Sequence, residues 1–229
     1  MRTPGHDIEL AHGFLLAEGV VSGAADVAGA HYRDPVDDAG CDVHDVLDIE
    51  LAAGVTPPDP GVVRRLLTTS SCGACGESSL DTVRSRTRHS PRVDRVRVAA
   101  EVLCLLPDAL RRERREDTAG LPAAGLFTAT GEPLAVRQDV GGHNAVDKVL
   151  GWALLQGRIP ARETVLVVTG RMSFELARRA VMAGVPVLAA VSAPSTFAAA
   201  VGEQAGLTIV TVDRGEPATA YTHRWRIEG

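Results

Sequence analysis

The chain has 229 residues and a formal net charge of −5, from 24 Lys plus Arg against 29 Asp plus Glu. That length supports one large domain or two small ones with ample core, and the acidic balance argues against general nucleic-acid binding. There is no export signal and no apolar stretch of the roughly 20 residues a membrane span needs, so reduced cysteines and a cytoplasmic location are expected. Glu9 to Val20 carries Leu10, Phe14, Leu15 and Ala17 at helical spacing and ends at a glycine-containing turn. Residues 22–45 are rich in Gly, Ala and Asp and read as loop or short strands. Val46 to Ala52 alternates like a strand, and Pro107-Asp108-Ala109-Leu110 reads as a helix start. The run Arg111-Arg112-Glu113-Arg114-Arg115, broken by an acid, reads as a solvated helix face.

The second half is more regular. Ala124 to Thr130 and Leu134 to Gln138 form a hairpin-like pair around Gly131-Glu132-Pro133. His143 to Gln156 reads as a helix with Val146, Val149, Leu150, Ala153 and Leu154 on one face. Three buried strands follow, Thr164 to Thr169, Val185 to Val191 and Leu207 to Val212. They alternate with helices over Ser173 to Ala183 and Thr196 to Ala205. Continuous apolar strands separated by helices imply a parallel core covered on both faces, hence an α/β fold. Ligands of such sheets gather at the loops leaving the strand C-termini. Here those loops carry Gly170, Arg171, Ser192 and Gly215, which allow close backbone approach or offer donors, and Arg214, a second forked cation. Ser173 and Ser195 read as helix caps whose N-termini favour anions, so a phosphorylated ligand is expected there.

Two segments concentrate chemistry. In Thr68-Thr69-Ser70-Ser71-Cys72-Gly73-Ala74-Cys75-Gly76 two thiols stand three residues apart among small residues that cannot shield them. Half a zinc site, a dithiol redox pair and a sulfur carrier all fit that spacing. Zinc lacks a second ligand pair: Cys41 and Cys104 are single, and His6 and His12 are too far apart. The second segment, Arg137 to Lys148, leaves a strand, turns on Gly141 and Gly142 and enters a helix. His143, Asp147 and Lys148, the only lysine, fall on consecutive turns and can serve as base, orienter and anion clamp. A structural hydrogen-bonding role for His143 stands beside that reading.

Taken in order, these motifs resemble the formate dehydrogenase accessory sulfurtransferase (FdhD) family. The matching pieces are Met1 to Gly5, Glu9-Leu10-Ala11 with Gly13-Phe14-Leu15, Ser70 to Gly76, Asp139-Val140-Gly141 with His143 to Lys148, Thr169-Gly170-Arg171, and Val187 to Pro194. The resemblance implies a mixed, partly parallel sheet flanked by helices, like the cytidine deaminase core. Residues 1–106 would form a smaller N-terminal subdomain with the cysteine loop, and 107–229 the cofactor-binding core. It also implies sulfur transfer: persulfide sulfur taken from a cysteine desulfurase passes to the molybdenum cofactor, in its molybdopterin guanine dinucleotide form, to activate formate dehydrogenase. Cys72 is then the persulfide carrier and Cys75 its partner. Val212, Asp213, Arg214, Gly215, Glu216 and Pro217, with Gly170, Arg171, Ser192, His143 and Lys148, are expected to bind the cofactor. A homodimer and no resident metal are expected as well. The alternative is a non-catalytic cofactor-binding chaperone for the same dehydrogenase. A zinc deaminase reading fails at His143-Asn144-Ala145, which lacks the required Glu, and at Ser71, where a Pro would precede the cysteines. The chain starts directly at Met1-Arg2-Thr3-Pro4-Gly5, where family members carry a preceding stretch, so it reads as either a truncated gene product or a short member. Gln138, Gly142 and Pro122 depart from the family pattern near the expected pocket.

Overall fold

The computed structural model describes residues 1–33, 46–57, 87–114, 120–212 and 217–229. Helix α1 (Asp7–Ala17) opens the chain. Strands β1 (Val27–Tyr32) and β2 (Leu47–Leu51) pair antiparallel. Strand β3 (Val98–Ala99) leads straight into α2 (Ala100–Arg112). Then come β4 (Ala123–Thr128), β5 (Pro133–Gln138), α3 (Gly142–Leu155), β6 (Thr164–Val168), α4 (Phe174–Met182), β7 (Val187–Ala190), α5 (Thr196–Ala205) and β8 (Thr208–Thr211). Two short strands, β9 (Thr219–Ala220) and β10 (Ile227–Glu228), close the chain.

Six strands form the central sheet in the order β5-β4-β6-β7-β8-β9. β6, β7 and β8 are parallel, and β4 is antiparallel to both of its neighbours. The apolar runs of β6 and β7 are buried on both faces, as expected for strands that feed two cores. Leu166, Val168, Leu188, Ala190 and Ile209 point into one core with Val146, Val149 and Leu150 of α3, Ala177 and Val181 of α4, and Val201 of α5. Val165, Val167, Val187, Ala189 and Val210 point into the other, against Leu103, Leu106 and Leu110 of α2. The period of two along each strand thus sorts neighbouring residues between helices on opposite sides. The architecture is a mixed α/β sandwich with three helices on one face of the sheet and α2 on the other.

Pro107 lies inside α2 and is buried, rather than starting a helix as the sequence reading has it. A proline here removes one intrahelical donor. The apolar face of Leu103, Leu106 and Leu110 against the sheet outweighs that loss. The helix also runs through position 106–107, where the sequence reading divides the chain.

Helix α1 lies on α3 with almost no gap. A Cβ at Gly13 would lie 2.6 Å from the carbonyl carbon of Asp147, and one at Gly151 2.6 Å from that of Glu9. Glycine at both crossing points is what lets the two backbones touch. Ion pairs fasten α1 further. Arg137 of β5 grips Glu9 through two bonds of 2.6 and 2.7 Å, and Arg178 of α4 reaches Glu18 at 2.5 Å and the Ala17 carbonyl at 2.8 Å. The second contact places a cation at the C-terminal end of α1, where the helix dipole favours it.

Candidate functional site

Because β4 is antiparallel to both β5 and β6, strands β5 to β8 of this set run in one direction and end at one edge of the sheet. Gln138 and Val168, the last residues of β5 and β6, lie opposite Ala123 and Ala124 at the start of β4. Helices α3, α4 and α5 all begin at this edge, so their first-turn N–H groups and positive dipole ends face it together.

Side chains join these helix starts into one wall. Ser173 Oγ accepts from the Leu176 N–H at 3.4 Å, and Ser195 Oγ from the Ala198 N–H at 3.1 Å, so both expected caps form. His143 Nε2 lies 3.3 Å from Ser173 Oγ and links α3 to α4. The Ser195 N–H donates to Met172 O at 3.0 Å, and Ser192 Oγ to Gly170 O at 3.4 Å. Val212 is buried and donates its N–H to Ala190 O at 2.9 Å. Arg171 is exposed beside this wall, as is Pro217. Val140, Val191 and Phe197 leave exposed apolar surface on the same edge.

His143 is mostly buried, which pushes its pKa from the usual 6.5 down to about 4, helped by the Arg179 and Arg178 charges and opposed by Glu175. At neutral pH it is an uncharged imidazole with one donor and one acceptor nitrogen. It can hold a ligand by hydrogen bond without adding charge.

The turn between β5 and α3 is built on Asp139, which is fully buried. One carboxylate oxygen accepts from the Gly141 N–H at 2.9 Å and Asn144 Nδ2 at 3.0 Å. The other accepts from the Thr3 N–H at 3.0 Å and pairs with Lys148 Nζ at 2.7 Å. Lys148 also donates to Thr3 O at 2.8 Å, Asn144 to Met1 O at 3.0 Å, and the Val140 N–H to Thr3 Oγ1 at 2.9 Å. Residues 1–3 therefore lie strapped across the turn that presents His143. Asp147 makes a separate two-point pair with Arg179 at 2.8 and 3.1 Å. Burial pushes its carboxyl above the usual carboxylate range, and the Arg179 guanidinium opposes that shift.

The base, orienter and clamp set expected of His143, Asp147 and Lys148 does not form. Their helix turns are adjacent, but each side chain meets a different partner: Ser173, Arg179 and Asp139. Lys148 is buried and its charge is taken up by Asp139, so it faces the turn and not solvent. The structure does bring His143, Gly170, Arg171, Ser192 and Val212 to one edge. Cys72, Cys75, Asp213, Arg214, Gly215 and Glu216 lie outside the described residues. Among the described residues no group of three His, Cys, Asp or Glu side chains could hold a metal, and no helix is long and apolar enough to cross a membrane. Sequence reasoning missed Asp139 as the hub of the turn, and Thr3 as its partner 136 residues away.

This fold is that of a known group. The crystal structure of a protein provisionally described as a formate dehydrogenase accessory protein, from Desulfotalea psychrophila, superposes with a TM-score of 0.68 at 21% identity, over 100% of this chain and 82% of that chain. That likeness establishes the mixed α/β architecture. The profile of the FdhD/NarQ family matches residues 1–228, and the chain belongs to the FdhD/NarQ family. Relatives called "Sulfur carrier protein FdhD" include those of Mycolicibacterium paratuberculosis and Nocardia farcinica, each 52% identical over 99% of this chain and covering 84% and 81% of their own length. The Mycobacterium tuberculosis relative is 50% identical over 99% of this chain and 84% of its own.

Proposed function

We propose that this chain is a sulfur carrier, acting as a sulfurtransferase in the maturation of formate dehydrogenase. The observation that carries the reading is the family match over residues 1–228, with relatives about half identical that bear the sulfur-carrier name. The Cys72 and Cys75 pair supplies the chemistry. The Cys72 thiolate attacks the outer sulfur of a cysteine desulfurase persulfide. The desulfurase S–S bond breaks, its thiolate leaves, and Cys72 becomes the persulfide. For delivery, the Cys75 thiolate attacks Cys72 Sγ, the Sγ–S bond breaks, and the outer sulfur leaves as hydrosulfide. A Cys72–Cys75 disulfide retains the oxidation, and a cellular dithiol reduces it for the next cycle.

The acceptor is the molybdenum cofactor in its guanine dinucleotide form, carried as cargo. Its phosphates suit the strand-end wall, where α3, α4 and α5 start and where Gly170, Arg171 and Ser192 present backbone donors and a forked cation. Neutral His143 adds a hydrogen bond, and the cofactor role that the family resemblance implies for residues 212–217 belongs to the same reading. Lys148 acts on the cargo only through the turn it holds. The deaminase-like core, the homodimer and the cytoplasmic location implied by the family resemblance belong to this reading. A non-catalytic chaperone would use the same cradle without the thiols.

The test separates the two roles. Cys72→Ala should abolish sulfur delivery to the dehydrogenase while leaving the guanine dinucleotide cofactor bound. Unchanged dehydrogenase activation by the variant lacking both cysteines would favour the chaperone.

A further inference from the structure

We propose a second anion-binding site, for the phosphate or diphosphate group of a small molecule, at the end of the sheet opposite the strand-end wall. A cleft of about 280 Å³ opens there between Arg92, Arg95, Gly206, His223, Trp225 and Arg226. Gly206 precedes β8 and Val212 follows it, so at about 3.3 Å per strand residue the cleft lies roughly 20 Å from the wall. Two ligands could not share one site at that distance.

Charge is the first argument. Three arginines and a histidine line the cleft, and no acidic residue does among the described residues, in a chain whose net charge is −5. Arg226 is 0% exposed, yet it makes no hydrogen bond to a carboxylate among the described residues. Its four bonds go to uncharged acceptors: Gly206 O at 2.8 Å, Thr208 Oγ1 at 3.0 Å, Pro91 O at 2.8 Å and Asp94 O at 3.1 Å. Its Nε has no hydrogen-bond partner among the described residues. A buried cation with no direct ion pair is costly, and an anion in the cleft adds a counter-charge.

The neighbouring acids offset that charge only in part: Asp94 acts on Arg226 through space without pairing to it. The Asp94 carboxylate is taken up by the N–H groups of Val96 at 2.8 Å and Glu163 at 2.9 Å. Glu203 stands 3.9 Å from His223 Nε2, but its side chain is 69% exposed and screened by water.

Shape is the second argument. Gly206 has φ +82, and a Cβ there would lie 2.7 Å from Arg92 Cα. Only glycine allows both the left-handed turn and that close backbone approach, which fixes Arg92 at the mouth. Arg92 spends one donor on Gln204 O at 2.6 Å and keeps the rest of its fork among the described residues. Arg95 is exposed and 5.8 Å from the Trp225 ring, whose face also carries Arg226 at 4.3 Å. Guanidinium forks match phosphate oxygens in pairs. The cleft is smaller than sites for drug-sized ligands, typically about 300–1,000 Å³, which suits a small phosphate ester.

The experiment is calorimetric titration of the full chain with inorganic pyrophosphate, with Trp225 emission followed in parallel. The expected result is saturable binding with an emission change that Trp225→Phe removes. Affinity should fall about a hundredfold in Arg92→Gln/Arg95→Gln, since each of the two lost charge-assisted pairs is worth about 1.4 kcal/mol, a factor of ten. The affinity reported by Trp225 emission, as distinct from heat released at the wall, should be unchanged in Arg171→Ala. Absence of a saturable emission change, full emission-reported affinity in the double variant, or its loss in Arg171→Ala would each overturn the proposal. Should the double variant fail to fold, Arg95→Gln alone carries the same test with a drop of about tenfold expected, because that side chain is exposed beside the Trp225 ring.

Discussion

Replacing Lys148 with methionine removes the one cation from the turn that presents His143. Methionine keeps the length and apolar stem, so the change isolates the ammonium. Asp139 would then be a carboxylate with 0% exposure and no counter-charge. Three donors would remain, from Thr3, Gly141 and Asn144, at 2.9 to 3.0 Å. Breaking a buried pair by removing one partner costs about 3–5 kcal/mol. The three remaining bonds place this case at the low end, about 3 kcal/mol. For a chain of this size each kcal/mol lowers Tm by about 2–4 °C, so a drop of about 6–12 °C is expected. Urea denaturation followed by circular dichroism measures the loss directly. Asp139→Asn combined with Lys148→Met should cost less than the sum of the single changes, with a coupling of at least about 1 kcal/mol. A cost below 1 kcal/mol for Lys148→Met, or strict additivity in the double variant, would refute the hub. Since Lys148 is the only lysine, amine labelling gives an independent check. Native protein should label at the N-terminus alone, and Lys148 only after unfolding.

Other predictions concern the helices and the wall. His143 has its folded pKa lowered to about 4 from 6.5, so the unfolded chain binds the proton first as pH falls. Its contribution is complete above pH 6.5 and is lost between 6.5 and 4, by at most about 3 kcal/mol. His143→Gln should flatten the stability profile across that window, and an unchanged slope would contradict the burial of the neutral ring. Gly13→Ala should destabilise by about 3 kcal/mol or more, because the new methyl meets the Asp147 carbonyl and forces α1 off α3. A stability equal to the parent, measured by urea titration, would contradict that packing. Arg171→Ala should weaken binding of the guanine dinucleotide cofactor about tenfold while leaving sulfur loading of Cys72 unchanged. Equal affinity by calorimetry would remove Arg171 from the cradle.

The second half of the chain was readable because its signals are local. Continuous runs such as Thr-Val-Leu-Val-Val mark strands covered twice, and α5 begins and ends at the residues its periodicity indicates. Ser173 and Ser195 cap the helices they precede for the reason their side chains suggest. Helix α2 was harder, since Pro107 is a breaker by local rules and only the packed face of Leu103, Leu106 and Leu110 overrides it. The short strands β3, β9 and β10 have no pattern of their own and exist by pairing with distant partners. Within the site, the string from Asp139 to Lys148 announced a polar turn. What it could not disclose is who bonds to whom, because Thr3 and Arg179 are brought in by the fold from 136 and 32 residues away. Arg226 was equally silent, as its acceptors come from two separate segments, residues 91–94 and 206–208.

The most direct test of the sulfur-carrier account is peptide mass spectrometry after incubation with a cysteine desulfurase and cysteine, with alkylation in the absence of reductant. The account predicts one added sulfur on the peptide holding Cys72, absent in Cys72→Ala. A folded protein whose thiols alkylate freely but gain no sulfur would contradict it.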